Sequence, residues 1–167
     1  MKDRFLARVR QHHAIEHATV AVLFERRGRM VTVGGLSDPW GFHLAGDFDA
    51  AEIESCAQEA LTRLQAGEHW LAISNQCGTT LALTGAFTAA AVLAAARGQG
   101  FRRFQPAMTA GVFAAGAAQP AGRWMQRVMT TDSNVDGLVV GRARNLAGRD
   151  RNRLVRVTVR TAPQGHS

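Results

Sequence analysis

Two long uncharged stretches constrain the fold of this chain more than any other feature of its 167 residues. No charged side chain occurs over the 27 residues from Trp70 to Ala96, or over the 19 residues from Phe104 to Gly122. A helix of about 20 apolar residues is long enough to cross the hydrocarbon core of a bilayer. We therefore predict a two-helix transmembrane hairpin over residues 78–127, with a buried helical hairpin of a soluble protein as the alternative.

Small residues in both stretches favour close contact between the two predicted helices. They stand at small-xxx-small spacings: Gly85, Ala89, Gly111 and Ala115. The start of the chain is charged and resembles no secretory signal, and the two cysteines suggest reduced thiols. We accordingly expect an integral protein of the inner membrane whose soluble part faces the cytoplasm, with the lipid bilayer as its main partner.

Residues 1–77 predict a soluble α+β domain of order α-β-β-α-β. We expect a helix over Arg4–Arg27, strands over Met30–Val33 and Trp40–Ala45 separated by a turn-rich loop, and a third strand over His69–Ser74. The second helix begins after a capping residue, Asp49, and ends at a glycine. Its apolar residues recur at helical spacing and predict a buried stripe: Ile53, Cys56, Ala57, Ala60, Leu61 and Leu64.

Residues 128–167 predict a basic C-terminal β-hairpin that joins the N-terminal sheet. Its strands are expected over Leu138–Val140 and Leu154–Val159, where apolar and polar residues alternate. The net charge of the chain is +7, and the last 45 residues hold nine arginines against three aspartates. We expect this region to contact anionic lipid headgroups. Nucleic acid is not expected as a partner, because no aromatic residue follows Trp124 to stack on bases.

The segment His13-Ala14-Ile15-Glu16-His17 carries the strongest chemical signal. On a helix His13, Glu16 and His17 lie close together. We place them on the core-facing stripe of the first helix, which is predicted from Leu6, Val9, Val20 and Phe24, with Ala14, Ala18 and Val22 on the opposite face. Buried ionisable groups are costly unless they are paired, hydrogen-bonded or bound to a metal.

The spacing His-x-x-Glu-His resembles that of the inverted zincin metallopeptidases. The resemblance implies that His13 and His17 are metal ligands, with zinc as the candidate metal, and that Glu16 is the general base. Cys77, at the start of the first uncharged helix, is our candidate for the third ligand. Other candidates stay open: His43 and His69, and the less favourably placed Glu52, Glu54 and Glu59. The alternative is a buried hydrogen-bond network without metal.

A wider set of segments is similar to a family of uncharacterised bacterial membrane proteins with two predicted spans. The matching segments are His13–Thr19, Asp38–Phe42, Gly46-Asp47, Cys77–Thr79 and Thr130-Thr131. The resemblance implies a membrane location and one joint site for the His-Glu-His and Cys-Gly-Thr segments, but no activity. We favour a non-catalytic membrane accessory protein, with a membrane-protein partner or a second copy as companion. A membrane-bound zinc-dependent hydrolase with Glu16 as base is the alternative.

Overall fold

The computed structural model describes residues 2–74, 78–96, 104–149 and 152–162. The chain divides into two compact units, Met1–Ile73 with Met129–Ser167, and Ser74–Val128. The first unit contains α1 (Lys2–Arg27), β1 (Val33–Asp38), β2 (Gly41–Gly46), α2 (Ala50–Gln65), a 3-10 turn (His69–Ala72), β3 (Leu138–Arg149) and β4 (Asn152–Thr161). The second contains α3 (Gly78–Ala96) and α4 (Phe104–Met125), and a π-helical turn (Gln126–Thr130) follows α4 in the chain.

The four strands form one antiparallel sheet in the order β1-β2-β4-β3. Across the β2–β4 pair Phe42 stands opposite Val157, and Leu44 stands opposite Val155. All four side chains are buried in the core. Strand β4 thus adds the C-terminal hairpin to the N-terminal strands, with the apolar face of its alternating pattern turned inward.

Helix α2 begins where its capping residue predicts. The Asp49 carboxylate accepts a hydrogen bond of 2.8 Å from the backbone N–H of Glu52, which satisfies one of the free donors at the helix N-terminus. The six residues of its predicted stripe are all buried, so the helical periodicity of this segment is confirmed.

Helix α1 turns a different face to the core from the one predicted. Leu6 is 59% exposed, whereas Ala14, Ala18 and Val22, which we assigned to the outer face, are fully buried. The prediction gave most weight to large apolar side chains. In the structure the small alanine side chains are the ones enclosed, because they permit close approach of neighbouring elements.

Two predicted strands are also wrong in position or type. Strand β1 spans Val33–Asp38, most of which we predicted as a turn-rich loop. The segment His69–Ala72 forms a 3-10 turn instead of a strand. The glycines of β1 are poor strand formers by themselves, and their conformation is fixed by the ladder with β2, which runs from Val33 opposite Gly46 to Asp38 opposite Gly41.

In the second unit α3 and α4 pack as a helical hairpin. An added Cβ at Gly111 would lie 2.9 Å from the Val92 side chain, and one at Gly122 would lie 2.8 Å from Thr80. An added Cβ at Gly85 would meet no atom within 4 Å. The close contact between the helices therefore uses Gly111 as predicted, but Gly122 in place of the predicted Gly85.

The predicted transmembrane hairpin is wrong. Within the described part of the chain, neither α3 nor α4 combines the length and the hydropathy that crossing a membrane requires. Both helices lack charge over long runs, but alanine, glycine and threonine supply little apolar surface, and α4 also contains Gln105, Gln119 and Pro120. A lack of charged residues was therefore a poor measure of hydropathy here.

Candidate metal centre

His13, Glu16 and His17 lie together in the middle of α1. One ring nitrogen from each histidine and one carboxylate oxygen of Glu16 are all within 4.8 Å of one another. Glu16 and His17 are each 6% exposed, and His13 is half-buried. The helical repeat brings these residues together, since positions three and four apart are neighbours on an α-helix.

Two backbone carbonyls fix the tautomers of the histidines. His13 Nδ1 lies 3.0 Å from the carbonyl oxygen of Thr130, and His17 Nδ1 lies 2.8 Å from that of Ala72. A carbonyl oxygen can only accept a hydrogen bond, so each Nδ1 carries the proton and donates. In the neutral ring the lone pair is then on Nε2, the arrangement in which metal-binding histidines are usually held.

Both carbonyls are available because they lie at the ends of helical turns. Thr130 is the last residue of the π-helical turn, and Ala72 is the last residue of the 3-10 turn. The last carbonyls of a helix have no partner within the helix. The histidines satisfy these two acceptors, so the tautomers of His13 and His17 follow from where the two turns end.

Segment 130–134 is held along α1 by further hydrogen bonds. The backbone N–H of Asp132 donates to the carbonyl of Arg10, and the Arg10 side chain donates to the carbonyl of Thr131. The side-chain amide of Gln11 donates to the carbonyl of Asn134 at 2.7 Å. These bonds fix the position of the neighbouring Thr130 carbonyl, and with it the His13 ring.

Strand β1 contacts the third member of the cluster. The Ser37 hydroxyl donates a hydrogen bond of 2.5 Å to Oε2 of Glu16. The other carboxylate oxygen, Oε1, lies so near Gly35 that an added Cβ there would be 1.9 Å from it. The rings of His13 and His17 meet edge to face, with their centroids 4.3 Å apart.

The other candidate ligands are engaged elsewhere in the described structure. Glu52 and Glu59 form ion pairs with arginines of α1, and Glu54 accepts a hydrogen bond from a backbone N–H of β3. His43 contacts Arg156, which also pairs with Asp38. His69 is exposed on the 3-10 turn, and Cys77 falls outside the described residues.

His12, which the sequence analysis passed over, is also buried next to the cluster. Its Nδ1 lies 2.6 Å from the carbonyl oxygen of Asp38. Burial lowers the pKa of His12 below its ordinary value, although the hydrogen bond to the Asp38 carbonyl acts in the opposite direction. A neutral His12 tethers α1 to the end of β1, one helical turn before Glu16.

Comparison with known proteins gives this chain a family but no activity. The sequence profile of a family described as a domain of unknown function (DUF6391) matches residues 8–143. An uncharacterised protein of Picosynechococcus sp. is 38% identical over 94 residues, which cover 52% of this chain and 46% of that protein. The chain thus spans about half the length of the curated relative it matches, and no solved structure matches it.

This chain belongs to the DUF6391 family. The family description and the name of the relative state neither a membrane span nor a peptidase activity. The comparisons therefore support the prediction of an uncharacterised family, and they lend no support to its two membrane spans or to the zincin resemblance.

Proposed function

We propose that this protein binds a divalent transition metal, zinc in the first instance, through Nε2 of His13, Nε2 of His17 and a carboxylate oxygen of Glu16. The observation that carries the proposal is the pair of hydrogen bonds from Nδ1 to the carbonyls of Thr130 and Ala72. They put the proton of each ring on the nitrogen that faces away from ligation, as second-sphere carbonyls do in metal sites.

The residues fit a small metal ion in geometry and in chemistry. Zinc holds nitrogen ligands at about 2.0–2.1 Å, so the edges of its tetrahedron are about 3.4 Å. One ring nitrogen of each histidine and one carboxylate oxygen of Glu16 lie within 4.8 Å of one another, and side-chain rotations can close the difference from that edge length. Two imidazoles and one carboxylate suit zinc, and the same set also suits iron(II).

Burial favours a metal that stabilises structure over one that performs catalysis. A general base must reach both a metal-bound water and a substrate. Glu16 is 6% exposed, and one of its carboxylate oxygens already accepts the hydrogen bond from Ser37. We therefore propose a non-catalytic accessory role with Glu16 as a ligand. A zinc-dependent hydrolase with Glu16 as base is the second candidate, and its support is the His-x-x-Glu-His spacing.

Three earlier expectations stay predictions. Cys77, predicted as the third ligand beside His13 and His17, remains a candidate ligand, and it would be the fourth when Glu16 also binds the metal. Contact between the basic C-terminal region and anionic headgroups is supported by Arg144 and Arg160, which are both exposed. A location at the inner membrane would require such surface contacts with lipid, because neither α3 nor α4 can span a bilayer.

The first experiment is the metal content of the purified full chain by mass spectrometry, with the His13→Ala, His17→Ala and His69→Ala variants beside the wild type. We expect near-stoichiometric zinc in the wild type, loss of zinc in the first two variants, and no change on replacing the exposed His69. A metal-free wild type, or zinc that persists in both cluster variants, would overturn the proposal.

The Glu16→Gln variant separates the two candidate functions. If Glu16 is a ligand, this variant binds zinc more weakly than the wild type. If Glu16 is a general base, the variant keeps zinc and loses hydrolysis of peptide substrates that the zinc-loaded wild type cleaves. Measuring zinc affinity and peptidase activity on the same preparations therefore decides between them.

A further inference from the structure

Strand β1 presents two residues to α1 at the point where Glu16 lies. Gly35 and Ser37 are two positions apart, so they share one face of the strand, while Leu36 between them is 69% exposed on the other face. Ser37 donates to Oε2 of Glu16, and Oε1 lies over Gly35. The carboxylate is thus held between a hydroxyl group and a bare stretch of backbone.

We propose that Gly35 and Ser37 form a carboxylate clamp, in which Ser37 is the positioning residue that orients Glu16 for metal binding. This inference rests on the proposed function of the site. A glutamate has three side-chain torsions, and its last one is broad and weakly restricted. The hydrogen bond from Ser37 limits that freedom before the metal arrives, so less of the binding free energy is spent on ordering the ligand.

The clamp depends on the register between β1 and α1, which a second contact fixes. The carbonyl of Asp38, the residue after Ser37, binds Nδ1 of His12, one helical turn before Glu16. Two neighbouring residues of β1 therefore hold two residues of α1 that lie a turn apart. Together with the ladder to β2, this pair of contacts sets the position of the Gly34-Gly35 segment beside the cluster.

The carboxylate clamp also requires that position 35 has no side chain. An added Cβ would lie 1.9 Å from Oε1 and 2.7 Å from Cδ of Glu16, and real Cβ atoms essentially never lie within 3.0 Å of another residue's heavy atoms. A larger residue would push the carboxylate away from the position that Ser37 holds. Gly35 therefore permits the approach of Glu16, and Ser37 fixes it.

The test compares zinc affinities, measured by competition with a chelator, for the wild type, Ser37→Thr, Ser37→Val and Ser55→Ala. Threonine and valine have nearly the same shape and both suit a strand, so they differ at this position mainly in the hydroxyl group. Ser55 is the control, because its hydroxyl accepts a hydrogen bond from Arg26 on the surface of α2. Loss of a second-sphere partner costs about 10–100-fold in metal affinity.

We expect Ser37→Val to weaken zinc binding by about 10–100-fold, and Ser37→Thr and Ser55→Ala to stay within about threefold of the wild type. We also expect Ser37→Val to have little further effect in a Glu16→Gln background, because the clamp acts through that carboxylate. The visible spectrum of the cobalt(II)-loaded protein should change in Ser37→Val and be restored in Ser37→Thr, which a general loss of stability would not produce.

The outcomes separate the clamp from the metal site. A wild type that binds no zinc overturns the proposed function, and the clamp with it. A wild type that binds zinc with the same affinity as Ser37→Val overturns the clamp alone. So does a loss of affinity that is equally large in the Glu16→Gln background, since Ser37 would then act by another route.

Discussion

Replacing Gly35 with alanine should destabilise the first unit, while the same change at Gly34 should not. The added Cβ at position 35 would be 1.9 Å from Oε1 of Glu16, whereas ordinary van der Waals contact begins at 3.4 Å. The carboxylate would therefore have to move by about 1.5 Å, the difference between these two distances. Such a movement breaks its hydrogen bond with Ser37, which is 2.5 Å long.

The expected loss of stability in Gly35→Ala follows from two destabilising contributions and one stabilising contribution. Inserting a methyl group into a filled site costs about 1–3 kcal/mol. Losing a hydrogen bond to a charged group costs about 1.5–3 kcal/mol. Replacing glycine by alanine raises the free energy of unfolding by about 0.4–1 kcal/mol, because alanine restricts the unfolded chain. Because the first two costs overlap once the carboxylate has moved, we expect Gly35→Ala to lower the free energy of unfolding by about 2–3 kcal/mol.

Gly34→Ala is the matched control, because its added Cβ would meet the Ala45 Cβ at 3.9 Å, an ordinary contact. It should leave stability unchanged or raise it by up to about 1 kcal/mol. Urea unfolding of both variants, followed by circular dichroism in the presence of a chelator, gives the comparison without metal. If the two variants differ by less than about 0.5 kcal/mol, which is the ordinary effect of a surface substitution, Glu16 does not lie against Gly35 as described.

Two further predictions concern other polar contacts. In the second unit the fully buried Gln126 side chain donates to the carbonyl and accepts from the N–H of Ser74, and also donates to the Thr80 hydroxyl. Gln126→Met should therefore destabilise the hairpin by about 2–4 kcal/mol, and Thr80→Val, which removes one of these bonds, by about 1 kcal/mol. The destabilisation should appear as faster hydrogen exchange in α3 and α4. Equal exchange rates in Gln126→Met and the wild type would contradict this prediction. In the first unit burial acts to raise the pKa of Asp38, but the hydrogen bonds from Arg156 and the Trp40 N–H and the charge of Arg156 outweigh it, so the pKa lies below its ordinary value. The resulting stabilisation, up to about 1 kcal/mol, is present above pH 4 and lost as pH falls through the lowered pKa. Asp38→Asn should flatten this part of an acid unfolding titration, and an unchanged acid limb would exclude the pair as its cause.

The sequence predicted those elements that are determined by interactions between residues close together in the chain. The cap at Asp49 and the stripe of α2 need only a helix, and both are confirmed. Strand β1 and the face of α1 depend on distant partners. The Gly34-Gly35 segment becomes a strand because β2 supplies its hydrogen bonds, and six consecutive residues of α1, Ala14–Thr19, are buried. No single apolar stripe can describe a stretch of helix that is buried on every side.

The same distinction explains what was predicted of the site. The proximity of His13, Glu16 and His17 follows from helix geometry, so their spacing was enough to find them. The groups that orient them are the carbonyls of Thr130 and Ala72, which every residue type possesses and which therefore leave no side-chain signal. Ser37 could have been suggested as a polar residue beside a glycine pair, but only the register of β1 against α1 shows which carboxylate it contacts.

The burial of the cluster bears on why a metal would matter to this protein. The histidines place their Nδ1 protons on backbone carbonyls. Burying a carboxylate to 6% exposure carries a desolvation cost, which the hydrogen bond from Ser37 helps to offset. A divalent cation held among the three would oppose that charge directly. Because such an ion binds the folded chain in preference to the unfolded one, it stabilises the fold by about 2.7 kcal/mol at a hundred times its dissociation constant. The two turns that end at Thr130 and Ala72 are separated by 58 positions in the chain and meet on one helix. A metal at this point would therefore strengthen contacts among the early, middle and late segments of the first unit, which is the role we expect of a structural ion.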